Sequence, residues 1–406
     1  MADWQQLTLG DFIQLKRGYD LPKKSRSIGR VPLISSSGIS DYVAESKAEG
    51  PGVVTGRYGT IGEVFYIEGD FWPLNTTLYV SDFKGNDPRF VSYFLRGIDY
   101  FSYSDKAAVP GVNRNHLHQA HIQVPSTVEE QRQIATALST LDDKIELNRR
   151  MNETLEAQAR ALFRDWFVDF GPVKAKMAGD TPYLAPDLWS LFPNRLDDDG
   201  VPEGWLTYRV DEIADHHTKS LKPMDAASEF FEHFSLPAYD GGQQPVLEAG
   251  GGIKSNKTIV PDGAILLSKL NPEIPRVWWP QNKGAHRQIA STEFLAFTAK
   301  SDISPALIYS LFSDQTFRQR LEGMVTGTSK SHQRVSPPAL RSLEALVGDT
   351  KVFAAFGEIA TSLMQKVLAN RAENLTLAQT RDLLLPKLMS GEIRVGDVAS
   401  EELSAA

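Results

Sequence analysis

The side chains best equipped for chemistry in this sequence sit in a few short stretches rich in glycine, serine and asparagine. In TGRYGTIG (55–62) the glycines permit a tight, exposed backbone around Arg57 and Tyr58. A guanidinium carried this way matches two coplanar acceptors, such as O6 and N7 of guanine, and a neighbouring phenol can stack or meet a phosphate. The same stretch also fits an ordinary hairpin turn. VPGVNRNHLH (109–118) holds Asn113, Arg114, Asn115 and His116, and TGTSKSHQRVS (326–336) holds Lys330, Ser331, His332, Gln333 and Arg334. Asparagine and glutamine suit adenine edges and arginine and lysine suit guanine edges, so these loops are candidate base readers. Lys269, in LLSKLNP, lies near the place in the second half of the chain that Arg57 takes in the first. LKRGYDLPKKSRSIGR (15–30) carries Lys16, Arg17, Lys23, Lys24 and Arg26, which would clamp phosphates and position without specifying. A solvated face is the plainer reading of that run.

Signatures of catalysis are absent. The chain has no cysteine, which removes disulfides, thiol nucleophiles and thiolate metal sites. HLHQAH places His116, His118 and His121 close together, but no carboxylate follows before Glu129, and three histidines on a strand edge fit surface or phosphate contacts better than a metal. NPEI (271–274) lacks the second proline and the aromatic that amino-methyltransferases use to stack a flipped adenine. No GxxxxGK[ST] occurs, so ATP use belongs elsewhere. The formal net charge of -8 gives no general attraction to nucleic acid, which leaves any such role to local basic patches.

The elements that must position these loops come in two copies. From Ile134, apolar or small residues recur at Leu138, Leu141, Ile145, Leu155, Ala159 and Leu162, the seam of a coiled coil, with Asn148 and Asn152 on the same stripe. The seam returns at Phe356, Ala360, Leu363, Val367, Leu377 and Leu384, again with two amides, Asn370 and Asn374. Upstream, WQQLTLGDF from Trp4 parallels WLTYRVDEI from Trp205, and YFLRGIDYF from Tyr93 parallels YSLFSDQTF from Tyr309. Each copy is a globular part followed by a long helix, and the displacement between copies grows along the chain as loops of different length accumulate.

Short β-branched and aromatic runs punctuated by Gly, Asp and Pro give strands, and runs such as PRFVSYFLRGI and PALIYSLFSDQTFRQRL give helices beside them, so the fold class is α+β. The seams of two such helices can bury each other antiparallel, making a pseudo-twofold molecule with two globular domains separated by a coiled coil. A helix of about 35 residues is about 50 Å long. Buried asparagines penalise slipped registers, so Asn148, Asn152, Asn370 and Asn374 are expected to fix the coiled-coil register; a partner subunit facing these amides is the other reading. Expected boundaries are residues 1–133 for the first domain, 134–170 for the first helix, 171–203 for a linker of turns and short helical pieces, 204–352 for the second domain, 353–392 for the second helix and 393–406 for a tail. With no apolar run able to span a bilayer and no leader at the start, the expectation is a cytoplasmic protein without a membrane role.

On LFRDWFVDFGPVKAKMAG (162–179), EEQRQIATALSTLDDKIELNRRMNETLE (129–156), VPEGW (201–205) and LLLPKLMSGEIRV (383–395), the chain resembles the specificity subunits of type I restriction-modification systems over essentially its whole length. ISSSGISDYV and TGRYGTIGEV are similar to elements of that family's target-recognition domains. The resemblance implies a non-catalytic reader of double-stranded DNA with an asymmetric bipartite site, one half-site per recognition domain. It implies two modification subunits that methylate adenine N6 with S-adenosylmethionine, and restriction subunits that use ATP and Mg to translocate and cut, with no cofactor in this chain. The second copy departs from the EEQ of the first, having DTKVFAAFGEIA there. A coiled-coil adaptor joining two protein-binding domains, and the recognition subunit of a stand-alone methyltransferase, are the alternatives.

Overall fold

The structure, a computed structural model, describes residues 4–105, 111–281, 284–326 and 333–396. The chain divides into two compact units, residues 1–147 with 373–406, and residues 148–372.

In the first unit, Gly52–Gly56 is buried along its whole length, as the apolar GVVTG run requires of a central strand. It lies in an antiparallel sheet of order Gln14–Arg17, Thr77–Asp82, Gly52–Gly56, Val64–Ile67. The helix Pro88–Arg96 starts on Asp87, whose carboxylate accepts the Phe90 N–H at 2.9 Å, with Pro88 at the first helical position where its missing N–H costs nothing. Its Phe90, Val91, Phe94 and Leu95 join Phe12, Val53, Leu78 and Val80 in the core. A smaller sheet of Gly38–Val43, Ile28–Ser35 and Trp72–Pro73 adds a second layer, and Trp4–Thr8 pairs with His121–Pro125.

The second unit repeats the plan. Its four-stranded sheet runs Ala214–His217, Phe294–Ala299, Ile265–Ser268, Val277–Trp278, again antiparallel, and Leu206–Arg209 pairs with Glu344–Gly348. The helix Pro305–Ser313 takes the place of Pro88–Arg96. Its second sheet is larger, with five strands in the order Ser220–Leu221, Lys257–Ile259, Arg287–Ala290, Phe230–Phe234, Val246–Ala249.

The long helices are Val128–Phe167 and Thr350–Ser390. Within the second unit their portions run antiparallel. Asn370 Nδ2 donates to Asn152 Oδ1 at 2.9 Å, Arg371 pairs with Glu156 at 2.7 Å, and Phe163 and Phe167 meet Phe356 and Phe353 at ring-centroid separations of 5.8 and 5.6 Å. Within the first unit the sense is the same: Asn374 Nδ2 donates to the Ile145 carbonyl at 3.2 Å and Arg381 pairs with Asp142 at 2.6 Å. Asn148 is buried as well. The helix Thr350–Ser390 is apolar enough to cross a membrane by length and composition, but its Phe353, Phe356, Ala360, Met364 and Val367 are core residues of the second unit.

Several boundaries differ from the sequence expectation. The first long helix begins at Val128, not Ile134, because Thr127 Oγ1 accepts the Glu130 N–H at 3.3 Å and Gln131 is drawn inside. The second begins at Thr350, and the two end at Phe167 and Ser390. The run PALIYSLFSDQTFRQRL is two helices, broken where Asp314 accepts the N–H groups of Thr316 and Phe317. The segment after the first long helix contains helices Gly171–Ala178 and Pro186–Ser190, and its Val173 and Phe192 are buried in the second unit's core.

Candidate nucleic-acid interface

In the first unit, two of the three candidate stretches meet. The strand Gly52–Gly56 ends at Arg57, whose N–H donates to the Thr76 carbonyl at 2.9 Å and whose carbonyl accepts the Val112 N–H at 3.1 Å. The turn that follows needs left-handed backbone at Gly59 (φ 80°) and Gly62 (φ 86°), which glycine adopts without strain. Tyr58 pairs with Gly111, and a Cβ on Gly111 would lie 2.2 Å from the tyrosine ring. Only a glycine lets the ring lie there. The Arg57 guanidinium sits 4.6 Å from the centre of the Tyr58 ring, and Tyr58 remains 38% exposed. No carboxylate pairs with Arg57 among the described residues, so its fork is stacked but uncommitted.

The equivalent junction of the second unit is built by the same backbone hydrogen bonds. The strand Ile265–Ser268 ends at Lys269, whose N–H donates to the Glu293 carbonyl at 2.9 Å and whose carbonyl accepts the Val335 N–H at 3.0 Å. Leu270 pairs with Arg334, as Tyr58 does with Gly111. Here the side chains differ: the Arg334 guanidinium grips the Glu293 carboxylate through Nε at 3.1 Å and Nη2 at 3.0 Å. The Gln333 carbonyl accepts the Asn271 N–H at 2.9 Å. Lys330, Ser331 and His332 lie outside the described residues.

The remaining candidates divide into exposed groups and groups with internal duties. Lys16 and Arg17 are exposed on Gln14–Arg17, with the Lys16 ammonium 5.5 Å from the Tyr19 ring centre. Hydrogen bonding from Tyr79, then from Lys16, holds the Tyr19 phenol below its usual pKa. Lys23 and Lys24 are exposed on a single 3-10 turn, Lys23–Ser25. Arg26 is the tie that holds this turn to the sheet, pairing with Asp41 at 3.1 Å. Asn113 caps the helix Arg114–His118 by accepting the Asn115 N–H at 3.0 Å, while Arg114, Asn115 and His116 are exposed on it. So His116 and His118 lie on a short helix, not on a strand edge. His118 Nε2 accepts the Leu15 N–H at 3.0 Å, and burial, then the Arg114 and Lys84 charges, push its pKa down and keep that nitrogen unprotonated.

Sequence reasoning passed over His216, whose ring lies 5.0 Å from that of Phe297. Burial first, then the charges of Arg341, His217 and Lys269, lower its pKa. The signal was available, since HH (216–217) falls in the copy of LK (15–16) once the two tryptophans, Trp4 and Trp205, are aligned.

The arrangement offers exposed or half-exposed basic and amide groups beside the four-stranded sheets, groups of the kind that meet phosphates and base edges. Residues 1–157 match the family model described as the type I restriction modification DNA specificity domain. The specificity subunit of the type I restriction enzyme MjaIX from Methanocaldococcus jannaschii is 26% identical over 304 residues, an alignment spanning 73% of this chain and 66% of that subunit. The HindI specificity subunit from Haemophilus influenzae is 23% identical over 347 residues, spanning 71% of this chain and 72% of that one. In fold, the chain is similar to the crystal structure of the S subunit of a type I restriction-modification system from M. genitalium, with a TM-score of 0.60, 16% identity and 96% of each chain covered. Residues 1–157 thus match a type I restriction modification DNA specificity domain, and the fold of nearly the whole chain is that of a type I restriction-modification S subunit.

Proposed function

We propose that this chain reads an asymmetric, bipartite double-stranded DNA site, one half-site per unit, and positions adenine-N6 methyltransferase and restriction subunits on it. The observation that carries the reading is the repeated junction: identical backbone hydrogen bonds at Arg57 and Lys269 presenting different side chains. Two related readers with different contents suit a target in two unlike parts. Lys16, Arg17, Lys23 and Lys24 would meet phosphates, and Arg57, Tyr58, Arg114, Asn115 and Lys269 would meet base edges. Methylation with S-adenosylmethionine, and ATP- and Mg-dependent translocation and cleavage, belong in this reading to partner subunits in the cytoplasm. The net charge of -8 gives no general attraction to DNA, and in this reading the partner subunits add phosphate contacts of their own.

The test is single-molecule methylome sequencing of a host carrying this chain with its modification subunits, against a host lacking only this chain. Loss of N6-methyladenine at one bipartite motif is the expected result. An unchanged methylome in an otherwise active system overturns the reading and favours a coiled-coil adaptor.

A further inference from the structure

Arg57 and Lys269 are equivalent by position, and the equivalence does not depend on matching their sequences. Val54 and Leu266 stand opposite Tyr79 and Ala296 on the central strand pairs, and three residues further on come Arg57 and Lys269. Each donates its N–H to the residue just before the neighbouring strand, Thr76 or Glu293, and each accepts from a valine, Val112 or Val335, two residues before a short helix. The residue immediately before each is held as well, Gly56 by the Glu63 carbonyl at 3.1 Å and Ser268 by the Arg276 carbonyl at 3.0 Å. Four segments of each unit thus pin one basic residue on both sides of its Cα, leaving its side chain as the variable part.

We propose that Arg57 and Lys269 are paired specificity-setting residues, each fixing one G·C pair of its own half-site. This rests on the DNA-reading function proposed above and adds which residue sets which part of the site. Both side chains can donate to guanine O6 and N7, and the planar fork of Arg57, stacked on Tyr58, is the more directional of the two. A pinned backbone means that a new side chain at either place meets the same base pair.

The experiment uses the full chain with the modification subunits of its own system, and reads the methylated motif for wild type, Arg57→Lys, Arg57→Ala, Lys269→Ala and Lys269→Gln. Glutamine pairs with adenine N6 and N7, so Lys269→Gln is expected to change one position of one half-site from G to A while the other half-site stays as it was. Arg57→Ala should relax a single position of the other half-site, with methylation of the original motif falling about tenfold or more. Arg57→Lys keeps the charge and guards against a folding defect: it should keep the position but discriminate less sharply. An unchanged motif in both alanine variants, a change in both half-sites from one substitution, or a uniform loss across all sequences would overturn the assignment. A wild-type chain that yields no bipartite motif sinks the DNA-reading function itself and this assignment with it. A clear wild-type motif with unmoved variants sinks this assignment alone.

Discussion

Replacing Asn370 by leucine takes away the donor on which the Oδ1 of Asn152 relies. The two side chains are nearly sealed from water, at 1% and 7% exposure, and their N···O distance is 2.9 Å. A buried acceptor stripped of its donor costs about 1–3 kcal/mol, of which the added apolar burial of leucine returns a part, leaving a net loss of about 1–2 kcal/mol. Asn152→Leu should cost a similar amount for the converse reason. The double variant behaves differently, because no amide is then left unpaired. It also removes the Oδ1 of Asn370, which finds no donor among the described residues. The double leucine variant is therefore expected within about 1 kcal/mol of wild type, or above it, giving a coupling energy of about 1–3 kcal/mol. Urea unfolding followed by tryptophan emission measures this, since Trp166 packs against Phe356 in the same unit with ring centroids 6.0 Å apart. Additive losses, with coupling below about 0.5 kcal/mol, would refute the claim that these amides recognise each other.

Asp142 accepts from the Tyr93 hydroxyl at 2.7 Å and pairs with Arg96 at 3.2 Å and Arg381 at 2.6 Å, so Asp142→Ala should cost about 3 kcal/mol by chemical denaturation. Burial raises its pKa, but hydrogen bonds from Tyr93 and Arg381 and the charges of Arg96 and Arg381 outweigh this and bring it below the usual value. Its stabilisation is then present above the unfolded carboxylate pKa of about 4 and fades as pH falls through the lower folded value; a wild-type advantage over Asp142→Asn that persists unchanged to pH 2 would contradict this. His118→Phe keeps the ring volume but leaves the Leu15 N–H without its acceptor, for a loss of about 1–3 kcal/mol. Because the folded pKa of His118 is lowered, the unfolded state binds more protons between the two values, so its contribution is complete above about pH 6.5 and is lost as pH falls through the folded pKa. Stability of wild type should decline from pH 7 to pH 5 more steeply than that of His118→Phe, and parallel curves would count against the assignment. Gly111→Ala drives a Cβ to 2.2 Å from the Tyr58 ring and should swing the exposed ring away. Under the proposed function, methylation of the native motif should fall, and adding Tyr58→Ala should restore thermal stability without restoring methylation.

The repeat was readable because its marks are local. Trp4 and Trp205, the two asparagine pairs and the strand runs around Arg57 and Lys269 survive a search at slowly growing displacement, and the sheet orders of the two units agree with it. Internal duties were not readable, because they depend on partners distant in sequence. Nothing in KKSR announces that Arg26 will find Asp41 while Lys23 and Lys24 stay free in water, and nothing in HQRV announces that Arg334 will close on Glu293. Asn113 precedes a short polar helix start, a place where an asparagine side chain caps the helix, and its Oδ1 does accept the Asn115 N–H. The EEQ motif shows the same limit. Gln131 is 1% exposed, its Oε1 accepting the Asp87 N–H at 3.0 Å and its Nε2 donating to Asn86 at 2.8 Å, so it locks the long helix to the cap of the helix Pro88–Arg96. At the corresponding place the second copy has Phe353, buried against Phe167 and Tyr208 with ring-centroid separations of 5.6 and 5.4 Å. A polar clamp and an aromatic plug solve one packing problem, which is why the copies diverge there without a change of fold.

Under the proposed function, that substitution points to how the two units can share a scaffold and differ in what they read. The junctions at Arg57 and Lys269 are assembled from backbone donors and acceptors, which every residue except proline can supply in full. Their contents do not match: Tyr58 over Gly111 in one, Leu270 beside an Arg334–Glu293 pair in the other. Each content is self-consistent, since the ring needs the missing Cβ and the guanidinium needs the carboxylate. A change of specificity therefore has to move these residues as a set. Lys269→Arg alone leaves Glu293 and Arg334 in place beside the new fork, whereas a graft of Arg57, Tyr58 and Gly111 onto 269, 270 and 334, with Glu293→Thr, transfers the whole arrangement. Under the proposed function, the graft should sharpen discrimination for G at its position of the second half-site to the level of the first junction, and the single substitution should do so only in part. Equal transfer by both would mean that the basic side chain acts alone and that its neighbours serve packing only.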